Sequence, residues 1–169
     1  MNRRWLGFTI ATALAWAAHA APDSPSIAIT KDRFGAFKPG TKVTQASLHA
    51  AFPTATIKAV DDRWQITDAA TGLHGTAGSD FLQVDGGKIS LYGIKLGDDG
   101  AKLAGVNELD DLSCMVDSDR PGWVTCKQLP WLSVNANNCS IGKPKDAFSA
   151  DKLAGCKVAE IYWMTAAAR

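Results

Sequence analysis

The four cysteines constrain this chain most, because all of them fall in its last third, at Cys114, Cys126, Cys139 and Cys156. An even number of cysteines in an exported chain is typical of a disulfide framework, here of two bonds. Three pairings are possible for such a set. We favour Cys114–Cys126 and Cys139–Cys156, because each bond then closes a short loop and the sequence Pro130-Trp131 separates the two pairs.

A metal centre is the alternative use of these cysteines. Neither favoured pair has the C-x-x-C spacing of a zinc or redox motif, and no histidine follows His74 in the sequence. We therefore expect disulfides, with no metal ion and no cofactor.

The N-terminus predicts that the chain is exported. Arg3 and Arg4 are followed by an apolar run over residues 5–18, which ends in the sequence Ala18-His19-Ala20. A basic start, a short apolar segment and a small-residue exit are the features of a cleavable signal peptide, here residues 1–20. An uncleaved membrane anchor is the alternative, but the run is short for a bilayer core of about 30 Å. The chain also has no cysteine at the cleavage point that could be lipidated.

The mature chain predicts one periplasmic domain. Cleavage leaves 149 of the 169 residues, with a flexible lead over residues 21–25 and a single domain over residues 26–165. It also leaves 16 basic residues against 17 acidic ones, a net charge of −1. This balance does not point to nucleic acid or an anionic membrane as a partner, and no segment of the mature chain is long and apolar enough to span a membrane. We expect a periplasmic protein as the partner; the oligomeric state is left open.

Hydrophobic patterning predicts an α+β fold, with an antiparallel sheet and a few short helices. A helix is expected after Thr44, which can cap it, and Pro53 should end it. The sequence Asp85-Gly86-Gly87 predicts a hairpin between strands 81–84 and 88–94. The remaining short helices are expected at 107–112 and 149–153, and the remaining strands at 26–30, 56–60, 63–67, 73–76, 123–126 and 157–164.

No set of residues makes a convincing catalytic site. His74, Ser79 and Asp80 are the residue types of a serine hydrolase, but they lie too close in sequence to converge, and no G-x-S-x-G motif surrounds Ser79. Asp117 and Asp119 form only a fragment of a calcium-binding loop. The other acidic pairs indicate solvated turns. We therefore expect no catalytic residues.

Three aromatic residues are candidates for a binding surface: Trp131, Trp123 and Tyr92. Trp131 is the strongest candidate, because Pro130 disfavours a central strand there and two cysteine loops flank it. A tryptophan held in this way would be an exposed anchor of the kind that dominates interfaces. The alternative is that these rings simply pack in the core beside the disulfides.

The order of several short motifs resembles a known family. These motifs are Phe34-Gly35 with Gly40-Thr41, the sequence 85–89, Cys114 with Cys126-Lys127, and the ending Lys157-Val158-x-x-Ile161-x-Trp163. Together they resemble a small family of Gram-negative envelope proteins of unknown function, described as sigma-E-regulated lipoproteins. The resemblance covers most of residues 27–164. It implies an envelope location and a non-enzymatic character, and it supplies no catalytic residues.

This sequence departs from that family in two ways. It lacks the lipidation cysteine, and it adds Cys139 and Cys156. We therefore expect a non-enzymatic periplasmic binding protein that serves envelope maintenance or the stress response. The alternative is an inhibitor or immunity protein against a peptidoglycan hydrolase such as a lysozyme, which an exposed rigid loop carrying Trp131 would favour.

Cleavage is expected after Ala20, because small residues at 18 and 20 match the recognition pattern of signal peptidase. Mass spectrometry of the exported protein should find Ala21 as the first residue. A mature protein that retains Met1 would contradict the prediction of a cleavable signal.

Overall fold

The structure of the protein is a computed structural model that describes residues 26–142 and 147–165. The expected signal peptide (1–20) and lead (21–25) lie outside the described residues. None of the helices in the described ranges reaches the length and hydropathy that a membrane span requires.

Strands dominate the described residues. In chain order they are β1 (Ile27–Thr30), β2 (Arg33–Phe34), β3 (Thr56–Val60), β4 (Arg63–Asp68), β5 (Leu73–Ala77), β6 (Phe81–Gly86), β7 (Ile89–Leu91), β8 (Ile94–Lys95), β9 (Ser113–Val116), β10 (Val124–Lys127), β11 (Leu132–Asn137), β12 (Phe148–Ser149) and β13 (Lys157–Met164).

Helical structure is limited. The α-helix α1 (Gln45–Ala51) has seven residues, and the 3-10 helices are Gly100–Gly105, Asn107–Leu109 and Ala150–Leu153. The predicted antiparallel sheet is confirmed, but the protein is mostly β, so the α+β prediction overstated the helix content. The predicted helices at 107–112 and 149–153 form only short 3-10 turns, since segments this short gain too few hydrogen bonds to offset the cost of helix nucleation.

The larger sheet has nine strands in the order β12-β9-β10-β11-β13-β6-β5-β4-β3. Every neighbouring pair in it is antiparallel. The meander β3 to β6 forms one half, and β9 to β11 with β12 forms the other. The last strand, β13, lies between β11 and β6 and joins the two halves.

The smaller sheet has the order β2-β1-β7-β8, with β1 and β7 parallel and the other pairs antiparallel. Its buried side chains, those of α1 and those of the larger sheet form one hydrophobic cluster. Phe34 lies at the centre of the aromatic contacts, with ring centroids 6.0 Å from Phe52 and 6.3 Å from Trp163.

Trp163 connects the two sheets. It belongs to β13, its side chain is fully buried, and its indole Nε1 donates a hydrogen bond of 2.9 Å to the carbonyl oxygen of Thr30 in β1. The most C-terminal strand therefore holds the most N-terminal strand in place.

The expected start of α1 is confirmed. Thr44 is the N-cap, its hydroxyl accepts from the backbone N–H of Ser47, and the Ser47 hydroxyl accepts from the backbone N–H of Thr44. This reciprocal capping satisfies donors that the first turn of a helix leaves free.

The predicted hairpin around Asp85-Gly86-Gly87 is wrong. β6 ends at Gly86, and β7 belongs to the other sheet, where it pairs with β1. β6 already has β5 and β13 on its two sides, so it offers no free edge to a returning strand. Gly87 has a φ of +108°, and a Cβ there would lie 2.8 Å from the Cα of Leu73, so the chain crosses the end of β5 and leaves the sheet.

A β-bulge explains why the sequence of β13 does not alternate cleanly. Asn135 pairs with Glu160, but the next residue, Ala136, pairs with Val158, so Ala159 is the extra residue. The bulge restores the core side of the strand. Val158, Ile161 and Trp163 are consequently all buried despite their irregular spacing.

Two disulfides are present, and they join Cys114 to Cys126 and Cys139 to Cys156. The first links directly paired residues of β9 and β10. The second ties the segment after β11 to the residue before β13. Both bonds therefore fasten the half of the large sheet that contains β9 to β13, and they fit an oxidising, extracytoplasmic compartment.

Replacing Trp163 by Phe should destabilise the protein by about 1–3 kcal/mol, because the carbonyl of Thr30 loses its donor at a part-buried position. Trp163→Ala should cost about 3–5 kcal/mol, since it also leaves a cavity. Trp123→Phe is the matched control, because Trp123 is only partly buried and lies outside the core cluster. Urea unfolding measures all three. A Trp163→Phe protein as stable as the control would contradict the role of the indole N–H.

Candidate functional site

The two faces of the large sheet differ. Side chains that alternate with the buried ones point away from the core, and we call this side the outer face. A row of directly paired residues crosses it from β11 to β3: Ser133, Tyr162, Gln83, Thr76, Gln65 and Lys58. An antiparallel sheet commonly keeps one face in solvent, and the polar character of this row follows from that exposure.

Arg120 anchors one end of a cluster on this face. It lies in the loop between β9 and β10, where its Nε donates to Asp117 Oδ2 at 2.7 Å. Its Nη1 lies 3.4 Å from Glu160 of β13, and its guanidinium carbon lies 4.4 Å from the ring centroid of Trp123. Arg120 thus contacts Asp117 and Trp123 within its own loop, and Glu160 connects that loop to the sheet.

The hydrogen bond from Arg120 lowers the pKa of the Asp117 carboxyl below its ordinary value, and a backbone N–H from Asp119 adds to this effect. Both carboxylate oxygens of Asp117 accept hydrogen bonds in this loop. These atoms therefore serve an Asp–Arg turn, and the described residues contain no cluster of three His, Cys, Asp or Glu side chains that could hold a metal ion.

Glu160 lies at the centre of the cluster. Its Oε2 accepts from Asn135 Nδ2 at 2.6 Å and lies 3.4 Å from the hydroxyl of Tyr162. Burial, and secondly the charge of Glu160, raise the pKa of Tyr162. Within the described part of the chain, Asn135 Oδ1 is buried without a hydrogen-bond partner. Leaving such an acceptor unpaired costs about 1–3 kcal/mol.

Phe81 and Arg63 complete the cluster at its other end. The ring centroid of Phe81 lies 6.4 Å from that of Tyr162, and the Arg63 guanidinium lies 5.7 Å from the Phe81 centroid. Gly78 makes room for this ring, because a Cβ at position 78 would lie 2.3 Å from Phe81 Cε1. We call the complete set the outer strip; it consists of Trp123, Arg120, Glu160, Tyr162, Phe81 and Arg63.

The three aromatic candidates lie in different places. Trp123 belongs to the outer strip. Trp131 is only 6% exposed, so the expectation that it forms an exposed anchor is wrong. It directly precedes β11, a central strand, and its ring packs edge-on against Tyr92 at 6.3 Å. The Tyr92 hydroxyl accepts from the backbone N–H of Lys31, so Tyr92 joins the β1–β2 turn to this ring pair.

His74 pairs with a residue other than those of the hydrolase alternative. Its Nδ1 lies 2.5 Å from Asp85 Oδ1, across the β5–β6 pair on the outer face. Ser79 and Asp80 lie in the turn at the far end of β5, and four residues of strand correspond to about 13 Å. The arrangement that a serine hydrolase would need from His74, Ser79 and Asp80 is therefore not assembled.

Sequence reasoning missed most of the outer strip. Glu160 and Tyr162 could have been found, because they alternate with the buried Ile161 and Trp163. Arg120 carried no signal in the sequence, since its contacts depend on how the β9–β10 loop folds back over β13. Phe81 carried none either, because its place depends on the space above Gly78.

Comparisons with known proteins add a likeness of fold. No family model matches the sequence, and no curated protein matches it. The crystal structure of YfeY, an uncharacterized protein from Escherichia coli, superimposes with a TM-score of 0.52 at 16% sequence identity. The match covers 80% of this chain and 98% of that one. At this identity the likeness shows a shared fold.

Arg120→Gln should raise the pKa of Asp117, although the backbone donor keeps it below the ordinary value. Because the folded-state pKa is lowered, the pair contributes stability above about pH 4, the unfolded value. That contribution is lost as the pH falls through the folded pKa. The difference in unfolding free energy between wild type and variant should therefore narrow in acid. NMR titration of the Asp117 carboxyl measures the shift directly, and equal titration in both proteins would contradict this account.

Proposed function

We propose that this protein is a non-enzymatic binding protein of the periplasm, exported by a cleavable signal peptide, and that it binds a protein partner through the outer strip. Its role would lie in envelope maintenance or the stress response. The two disulfides support an oxidising location, and the motif order of the sequence supports an envelope protein.

The composition of the outer strip is the observation that carries this proposal. Aromatic residues, Met and Arg are enriched in the cores of protein interfaces, and Trp, Tyr and Arg are the residues that dominate binding energy there. The outer strip brings Trp123, Tyr162, Phe81 and two arginines together on one face. Met115, on the outward side of neighbouring β9, is 50% exposed and extends this apolar surface.

The rigidity of the outer strip favours binding. Tyr162 and Phe81 stand on paired strands, and both guanidinium groups already lie against aromatic rings. Side chains that are ordered before association lose less conformational entropy when a partner docks, so more of the contact energy appears as affinity.

The inhibitor alternative places binding elsewhere. It calls for a rigid exposed loop that carries Trp131, whereas Trp131 packs in the core against Tyr92. The outer strip is therefore the surface on which a partner of either kind should be sought.

The test compares variants of the exported protein. The double variant Arg63→Ala with Phe81→Ala removes one end of the outer strip, and Gly78→Ala displaces the Phe81 ring without removing any member. The partner is the envelope protein that wild type retains and the double variant does not. The double variant should bind the purified partner more weakly than wild type does, by about 2 kcal/mol or more of binding free energy, roughly 30-fold in affinity, as measured by calorimetry. Melting temperatures should change little, because both residues lie outside the core.

His74→Ala is the control, because His74 lies on the same face about one strand length away from Phe81. It should retain the partner at wild-type affinity and keep any biological effect of the protein. A loss of effect confined to a folded His74→Ala protein would restore the hydrolase alternative. Equal retention of the same partners by wild type and by the double variant would contradict binding at the outer strip.

A further inference from the structure

A basic surface occurs at the N-terminal end of the domain. Lys31, Arg33, Lys38 and Lys42 fall within twelve residues, and all four are exposed. Asp32 is the only acidic residue in that stretch, so it carries a local charge of +3 within a mature chain of −1. The net charge of the mature chain is close to zero and therefore does not show that positive charge is concentrated in this stretch. We call these four side chains the basic end.

Backbone contacts hold the basic end together. Phe34 pairs with Phe37 in an antiparallel bridge, which places Arg33 beside Lys38, and both phenylalanine rings are buried. The backbone N–H of Lys31 donates to Tyr92, and that of Thr41 donates to the carbonyl of Lys38. The four cations are therefore displayed from a fixed scaffold rather than from a loose segment.

The described residues contain no acidic side chain that pairs with the basic end. None of the four forms an ion pair with a described residue, whereas Lys102 and Lys152 each pair with a neighbouring aspartate. Asp80, from the turn between β5 and β6, is connected to this end through the backbone: its carbonyl accepts from Thr165, whose own carbonyl accepts from Gly40. Even when Asp80 is counted together with Asp32, the basic end keeps a net positive charge.

We propose that the basic end docks the protein on the anionic phospholipid surface of a membrane. The charge is complementary to anionic headgroups. The chain enters the domain at the same place, since the backbone N–H of Gly35 donates to the carbonyl of Ala28 in the first strand, and that strand begins nine residues after the apolar run of residues 5–18. Export would therefore deliver the domain to a bilayer with the basic end facing it.

The strength of such docking follows from charge. Each lysine or arginine near an anionic surface strengthens binding by about fivefold, and the attraction decays within a Debye length. Binding should therefore be reversible and sensitive to salt. It does not depend on the proposed function, because the basic end and the outer strip share no residue.

Vesicle sedimentation tests the proposal with the exported protein. Phosphatidylcholine vesicles with and without phosphatidylglycerol are compared at low and high salt. Wild type should bind only the anionic vesicles, and only at low salt. Lys38→Glu with Lys42→Glu should weaken binding by at least about 25-fold, since two attractive charges are lost. Lys38→Gln with Lys42→Gln is measured as well, because it removes the same two positive charges without introducing acids that could affect folding. Melting curves check that each variant is folded.

Lys102→Glu with Lys152→Glu is the matched control, because it changes the net charge equally. These exposed lysines lie in the 3-10 helices Gly100–Gly105 and Ala150–Leu153, at the end where β13 begins. The control should bind like wild type. The proposal fails if wild type ignores anionic vesicles, binds neutral ones equally well, or loses affinity equally in both charge-reversed proteins. The variants of the basic end should keep the affinity for the protein partner, so the two proposals fail separately.

Discussion

The contact between Trp163 and Thr30 is the interaction on which the remaining structure depends. It gives the smaller sheet a directional link to the larger one at β1, and a second such link runs from the segment after β8 to β13, where Gly97 donates to the carbonyl of Val158. The indole ring supplies apolar area against Phe34, while its N–H satisfies a backbone carbonyl of β1. Trp163 therefore packs against the smaller sheet and also fixes the position of β1 relative to β13. The two disulfides reinforce the same half of the large sheet from which Trp163 projects.

The strand that builds the core also builds the candidate site. Along β13, Ile161 and Trp163 point inward, while Glu160 and Tyr162 point outward. The bulge at Ala159 sets this alternation, because without it Val158 could not share the core side with Ile161. The position of the outer strip is thus a consequence of core packing in β13, and Arg120 and Phe81 attach to it from either side.

Local patterns predicted local structure well. The cap at Thr44, the turn between β3 and β4, and the bounds of β13 were all available from neighbouring residues. The hairpin at Gly87 could not be judged locally, because it depends on whether β6 has a free edge. The prediction for Trp131 was wrong for the same reason: Pro130 lies in the turn before β11, but the burial of Trp131 depends on contact with Tyr92, which is far away in the sequence. Arg120 and Phe81 likewise acquire their roles only through tertiary contact.

Hydroxyl-radical footprinting of the complex with its retained envelope partner tests the central claim most directly. Trp123, Tyr162 and Phe81 should react in the free protein and become protected in the complex, whereas the buried Trp131 should stay unreactive in both. Protection of all three together would place the partner on the outer strip. If they react equally in both states while other surfaces become protected, the outer strip is not the binding surface and the account is wrong.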